Sequence, residues 1–362
     1  MTEAAVANLA LGFRVVLVGG ILLLLPRITR RGLLFGAYVG EALADRDAAR
    51  RLRGSWYIGC VILMVLSLLV GLGISWAGRP IAGSLTGTAV LLLGGLGLYL
   101  RFHFRARKLA PPAAARQAQR AAAMFLGGEP KGVGLAKLAL GICLPAAVAT
   151  FVYSIVSYDG SWSDKSFITV MFVPSVNLVV SPFLAVIALL TARAKRSIRG
   201  GSGGRSVEAQ DAFRATMANL CSWGALLIGA FMAVLSVQVV RIGLSEIRSL
   251  GVGVWVMAGI VFVFILGNLI RIVKGYGQGG ALMERGSVEA PLTNGLADNA
   301  RWIWGLFYVD RDDPSIMVES RFGIGYTLNY GNRKAILIVV SFVVLSLSLV
   351  VLGLIAALSG GG

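Results

Sequence analysis

Residues 55–76 read SWYIGCVILMVLSLLVGLGISW, twenty-two positions without one charged side chain. A helix of roughly 20 apolar residues crosses the ~30 Å hydrocarbon layer of a bilayer. Working outward, seven further stretches have the same character: about 5–26, 81–100, 135–156, 168–192, 218–242, 252–273 and 335–358. Across the chain, 57% of residues are hydrophobic and 14% charged, outside the range of soluble domains. Within lipid the backbone must satisfy its own hydrogen bonds, so each stretch is expected to be a helix. The period-two alternation of a membrane β-barrel is missing. The predicted fold is therefore all-α: a polytopic membrane protein of about eight transmembrane helices, with a small cytosolic aromatic-rich element before the last.

The net charge of +17 follows the same spacing. Of the 34 Lys and Arg residues, 28 fall in the connectors after spans one, three, five and seven. By the positive-inside rule those four loops face the cytoplasm and both termini lie outside. The expected setting is a bacterial inner membrane, with the bilayer and its anionic headgroups as partners. No basic stripe stands apart from this pattern, so nucleic acid is not an expected partner. The first span, lacking a basic leader and an Ala-x-Ala site, is expected to be retained. The divisions that follow are 1–192 (spans one to five), a Gly-rich basic cytosolic linker at 193–217, 218–273 (spans six and seven), a loop at 274–334, and 335–362.

Chemistry is sparse. All seventeen acidic residues lie outside the spans. There is one histidine, His103, and it reads as an interface residue between Phe102 and Phe104. Cys60, Cys143 and Cys221 lie on three different spans and form no close pair. HExxH, GxSxG and the glycine-lysine phosphate loop are missing. No enzyme, cofactor or metal site is expected. Intramembrane polarity offers Arg14, expected to snorkel or to meet a carbonyl. It also offers span five, where Pro174 and Pro182 flank Asn177. Two prolines can break a helix and expose carbonyls, as in transporter sites. Glu41–Arg53 reads as a solvated connecting helix, and Gly87, Gly94, Gly95 and Gly97 as a surface for close helix approach.

The richest stretch is Trp302 to Tyr330, WIWGLFYVDRDDPSIMVESRFGIGYTLNY. Its loop carries eight basic and seven acidic residues, unlike the strongly basic loops elsewhere. Near-neutral charge with dense aromatics predicts a folded element at 298–330 whose rings pack on helices or headgroups. Asp313-Pro314 suits the start of a helical turn over Ser315–Ser320. The candidate interaction residues are Trp304, Gly305, Phe307, Tyr308, Asp312, Asp313, Pro314, Arg321, Gly323, Gly325 and Asn329. The acids Asp310, Asp312, Asp313 and Glu319 lack the spacing of a calcium loop. Gly323 and Gly325 are too short a pattern for a phosphate cradle.

The pattern W-x-GLFYV-x-x-DDP-x-x-x-V-E-x-RFGIGYTLN resembles a short domain of unknown function found in bacterial membrane proteins. RGLLFGAYVGE (31–41) and WSDKSF (162–167) are similar to segments of membrane proteins related to the Sdp-type toxin immunity and signalling family. The His-Asn-x-x-Gly-x-Pro-Asp motif of those relatives is replaced here by SYDGSWSDKSF. The resemblance supplies no established activity; the expected role is a non-enzymatic regulatory, signalling or immunity component acting through 298–330 on a protein partner. A transporter or lipid-handling permease using span five is the alternative.

Overall fold

A computed structural model describes residues 3–29, 32–40, 46–110, 130–158, 165–195, 203–243, 246, 249–280, 282–283 and 298–359. Eight long helices are present among them: α1 (Glu3–Ile28), α2 (Asp47–Trp76), α3 (Pro80–Lys108), α4 (Val133–Ser157), α5 (Lys165–Ala192), α6 (Gly203–Gly243), α7 (Val252–Gly275) and α8 (Arg333–Ser359). Seven of them, α1 to α7, are long and apolar enough to cross a membrane. Their outer faces keep large apolar side chains exposed, including Leu69 at 65% and Val263 at 67%. A water-soluble protein does not leave such surface open, whereas lipid covers it. These features suggest a multi-pass membrane protein.

The helices gather into two groups. In the first, α1, α2 and α3 pack together. Small residues let the backbones of α2 and α3 touch: the Ser67 hydroxyl donates to the Gly87 carbonyl at 2.7 Å, and a methyl at Gly87 would stand 2.8 Å from the Ser67 carbonyl oxygen. Gly94 and Gly95 also receive neighbours, the side chains of Leu63 and Leu22, whereas Gly97 faces open space. Arg14 donates to the hydroxyls of Ser84 and Thr88 on α3, at 3.1 and 3.0 Å. In the second group α4, α5 and α6 pack through Ala139, Cys143, Ala185 and Ala225. There α8 lies on α5, where Phe183 and Phe342 stack at 3.9 Å, and α7 lies on α6. Phe13 of α1 approaches Phe262 of α7 at 6.4 Å.

Several local expectations change. Helix α2 starts at Asp47 and runs straight into its span, so the connecting helix expected up to Arg53 is the span's own first turns; residues 41–45 lie outside those described. The linker expected over 193–217 is helical from Gly203, because α6 extends 41 residues, about 60 Å at 1.5 Å per residue. Helix α5 is not broken: it continues through Pro174 and Pro182. His103 is buried inside the chain, where its Nδ1 donates to the Phe35 carbonyl at 2.8 Å.

Three short hairpins lie at one end of the helices. β1 (Leu33–Leu34) pairs with β2 (Ala37–Tyr38), β3 (Trp302–Ile303) with β4 (Phe307–Tyr308), and β5 (Met317–Glu319) with β6 (Tyr326–Leu328), all antiparallel. The helical turn expected over Ser315–Ser320 is instead strand β5. Asp313 does accept from the Ser315 amide at 3.0 Å, but the chain then runs extended towards Met317.

Candidate functional site

The two later hairpins form one module, and Asn329 organises it. This fully buried amide accepts from the amides of Asp310 (3.0 Å) and Gly331 (2.9 Å), and donates to the carbonyls of Asp310 (2.8 Å), Asp313 (3.0 Å) and Ser315 (3.2 Å). A backbone that turns twice within six residues leaves polar groups unpaired, and one carboxamide meets four of them besides the Gly331 amide, its two N–H shared among three carbonyls. β4 joins β6 beside it, since the Tyr330 amide donates to the Tyr308 carbonyl at 2.8 Å. Trp302, Tyr308 and Val318 form the small core.

Around that core the charged residues are paired. The Tyr308 hydroxyl lies 3.1 Å from Asp310 Oδ2 and 3.0 Å from Asp313 Oδ2. Burial, joined by those two carboxylates and partly opposed by Arg301, pushes the phenol well above its ordinary range, so it stays a donor. Arg301 closes on Asp310 and on Asp298. Burial works against the charge of Asp313. The Lys195 ammonium at 2.7 Å, with the Ser315 hydroxyl and amide, outweighs it and holds the carboxyl below its usual range.

The module touches both helical groups. Towards the first, Asn299 reads the backbone of Tyr38 as a strand would, accepting from its amide at 2.9 Å and donating to its carbonyl at 3.0 Å. Arg321, 1% exposed, donates to Asn299 Oδ1 at 2.7 Å and to the Gly36 carbonyl at 3.3 Å, with its guanidinium 4.9 Å over the Trp302 ring. A buried cation–π contact of this kind contributes about 2 kcal/mol. The Tyr99 hydroxyl of α3 donates to the Trp304 carbonyl at 3.1 Å, and Phe322 meets the Tyr99 ring edge-on at 4.6 Å. Towards the second group, the Lys195 amide donates to the Met317 carbonyl at 3.0 Å. The buried Gln278 donates to the Ser320 carbonyl, and Phe213 of α6 packs on Tyr326 at 5.9 Å.

Residues 311–336 match DUF5808, a family of unknown function. Nothing matches among curated proteins or solved structures. The DUF5808 segment thus covers the acidic turn, β5, β6 and the first residues of α8, and leaves out the β3–β4 hairpin.

Of the residues proposed from sequence, the structure brings Gly305, Tyr308, Asp313, Arg321, Gly325 and Asn329 together in the interior of the module. Trp304, Phe307, Asp312 and Pro314 lie on its outside. Gly323 and Gly325, with φ of 70° and 127°, turn the chain between β5 and β6. The acids do not converge: among the described residues no three His, Cys, Asp or Glu side chains could hold one metal ion. Asn177 lies apart, in α5; it is 1% exposed and its Oδ1 has no hydrogen-bond partner among the described residues. Of the two shorter resemblance segments, 32–40 packs on the module, while residues 162–164 are outside the described residues.

Asn299, Lys195 and Gln278 were not singled out from sequence. Isolated polar residues 261, 118 and 42 positions from their partners carry no periodic signal. The likeness of GLLFGAYV (32–39) to WIWGLFYV (302–309) was available: an aromatic-glycine tip, then Tyr-Val.

Proposed function

We propose that this chain is a non-enzymatic, multi-pass component of a bacterial inner membrane, acting in regulation, signalling or toxin immunity. In this reading both termini lie outside and the 298–332 module lies in the cytoplasm. The module clasps the two helical groups, so a rearrangement in one is passed to the other and displayed to a protein partner. The observation that carries it is the use of the polar residues. Arg321 and Asn299 are spent on the β1–β2 hairpin, and Asp313 on Lys195 at the end of α5. Arg311, Asp312 and Pro314 remain exposed on the acidic turn for a partner.

A photo-crosslinker at Asp312 in intact cells tests this. Specific protein adducts are expected, and they should be lost when Asn299→Ala releases the clasp while membrane insertion is retained. No adduct, or the same adducts from the Asn299→Ala protein, overturns the reading. A second reading, a permease, is favoured by Asn177 alone: an acceptor buried in α5 with no partner among the described residues suits a passing polar solute or cation. It requires Asn177→Ala to abolish some vesicle flux.

A further inference from the structure

Two aromatic residues hold left-handed backbone conformations, Phe35 at φ 46° and Trp304 at φ 54°. Each precedes a glycine of the same hand at a hairpin tip, and the two tips touch: a methyl on Gly305 would stand 2.6 Å from the Gly36 carbonyl oxygen. For a bulky residue this conformation is unfavourable and needs compensation. Phe35 finds it inside the chain. The ring is 4% exposed, 4.9 Å from Trp56 and 5.3 Å from Phe102. Trp304 does not: its carbonyl is held by Tyr99, but its side chain is turned outward and is 46% exposed. Ile303 at 48% and Phe307 at 37% extend the same surface, and Tyr330 meets Phe307 edge-on at 5.3 Å.

The level of this patch says what covers it. Tyr99 lies nine residues before the end of α3, about 14 Å along the axis. On that helix the apolar Leu93 and Leu96 are exposed below Tyr99, and Arg101 and Arg105 are exposed above it. Three residues beyond Tyr330, α8 opens with the exposed pair Arg333 and Lys334. Aromatic rings flanked by cations at a boundary between apolar and charged helix turns match the headgroup layer of a bilayer.

We propose that the tip of the β3–β4 hairpin is a membrane-interface anchor. Trp304, Phe307 and Ile303 enter the headgroup–acyl boundary, and Arg333 and Lys334 engage the phosphates of anionic phospholipids. The anchor rests on the membrane reading above, but not on which side the module faces. It gives the strained tryptophan the compensation that Phe35 obtains from the core.

Spin labels distinguish the outcomes. Single cysteines at Ile303, Val263 and Asp312, in a background with Cys60, Cys143 and Cys221 all replaced by alanine, are labelled and reconstituted into phosphatidylcholine vesicles with or without phosphatidylglycerol. Collisions with oxygen and with an aqueous nickel chelate report depth. The 303 label should be richer in oxygen and poorer in nickel collisions than the 312 label, more so with phosphatidylglycerol. Trp304→Asn, which suits a left-handed position, should return it towards the aqueous pattern. Lys334→Gln should lower the inserted-to-free ratio about five-fold, the equivalent of ~1 kcal/mol for one cation at an anionic surface. A lipid-like 263 label with an aqueous 303 label overturns the anchor alone. An aqueous 263 label overturns the membrane reading itself. A 303 label shielded from both reagents overturns the anchor in favour of a second copy covering the patch.

Discussion

The β1–β2 and β3–β4 hairpins open their tips, of two and three residues, with the same aromatic–glycine pair, and have opposite surroundings. Both place an aromatic and a glycine in left-handed conformations. The first closes over its own aromatic: Phe35, Trp56 and Phe102 interlock, with the Trp56 indole donating to the Leu22 carbonyl at 2.9 Å. The second keeps Trp302 and Tyr308 in the small core but turns Ile303, Trp304 and Phe307 outward, and carries no charged side chain. Turn geometry therefore follows from the local sequence, while the direction in which side chains are used is set by what each hairpin lies against.

Three measurements sharpen or break that contrast. The largest effect is expected for Phe35→Ala, which removes a fully packed ring and should cost about 3–5 kcal/mol in thermal unfolding in detergent. A loss under ~1 kcal/mol would mean that the first tip is not core at all. Acid gives the intermediate effect, on the turn that follows the second hairpin. The carboxyl of Asp313 is held below its ordinary range, so its contribution is complete above the unfolded value near ~3.9 and fades as pH falls through the lower folded value. A hydrogen-bonded charged contact contributes about 1.5–3 kcal/mol. Limited proteolysis at 298–332 should rise below about pH 4, and Asp313→Asn should remove that dependence. The smallest effect, and of opposite sign, is expected for Trp304→Gly. Relief of backbone strain should leave melting in detergent unchanged or raised by up to ~1 kcal/mol, whereas a clear loss would show that the indole packs on its own chain.

Much of the helical architecture was legible from sequence, because a run such as 55–76 needs only length and apolarity to be recognised. The ends were less so. Asp47 to Gly54 and Gly203 to Met217 look like polar connectors, yet they belong to α2 and α6, since a helix nucleated by its apolar run extends at little further cost. The module was legible as a folded element from its aromatic density. Its working parts were not, because Asn299, Lys195 and Gln278 act through long-range contacts. Arg321 and Asp313 drew notice as charged residues at a turn, where solvent exposure is the ordinary expectation; a guanidinium lying over Trp302 becomes visible only once β3 and β5 are placed together.

One residue joins the module to the last helix. The Oδ1 of Asn332 accepts from the Lys334 amide at 2.9 Å in the first turn of α8, and its Nδ2 donates to the Pro314 carbonyl at 2.9 Å. Any tilt or twist of that helix is delivered through Asn332 to the turn at Pro314 as torque, and two glycines inserted after Asn332 would uncouple the shaft from the dial.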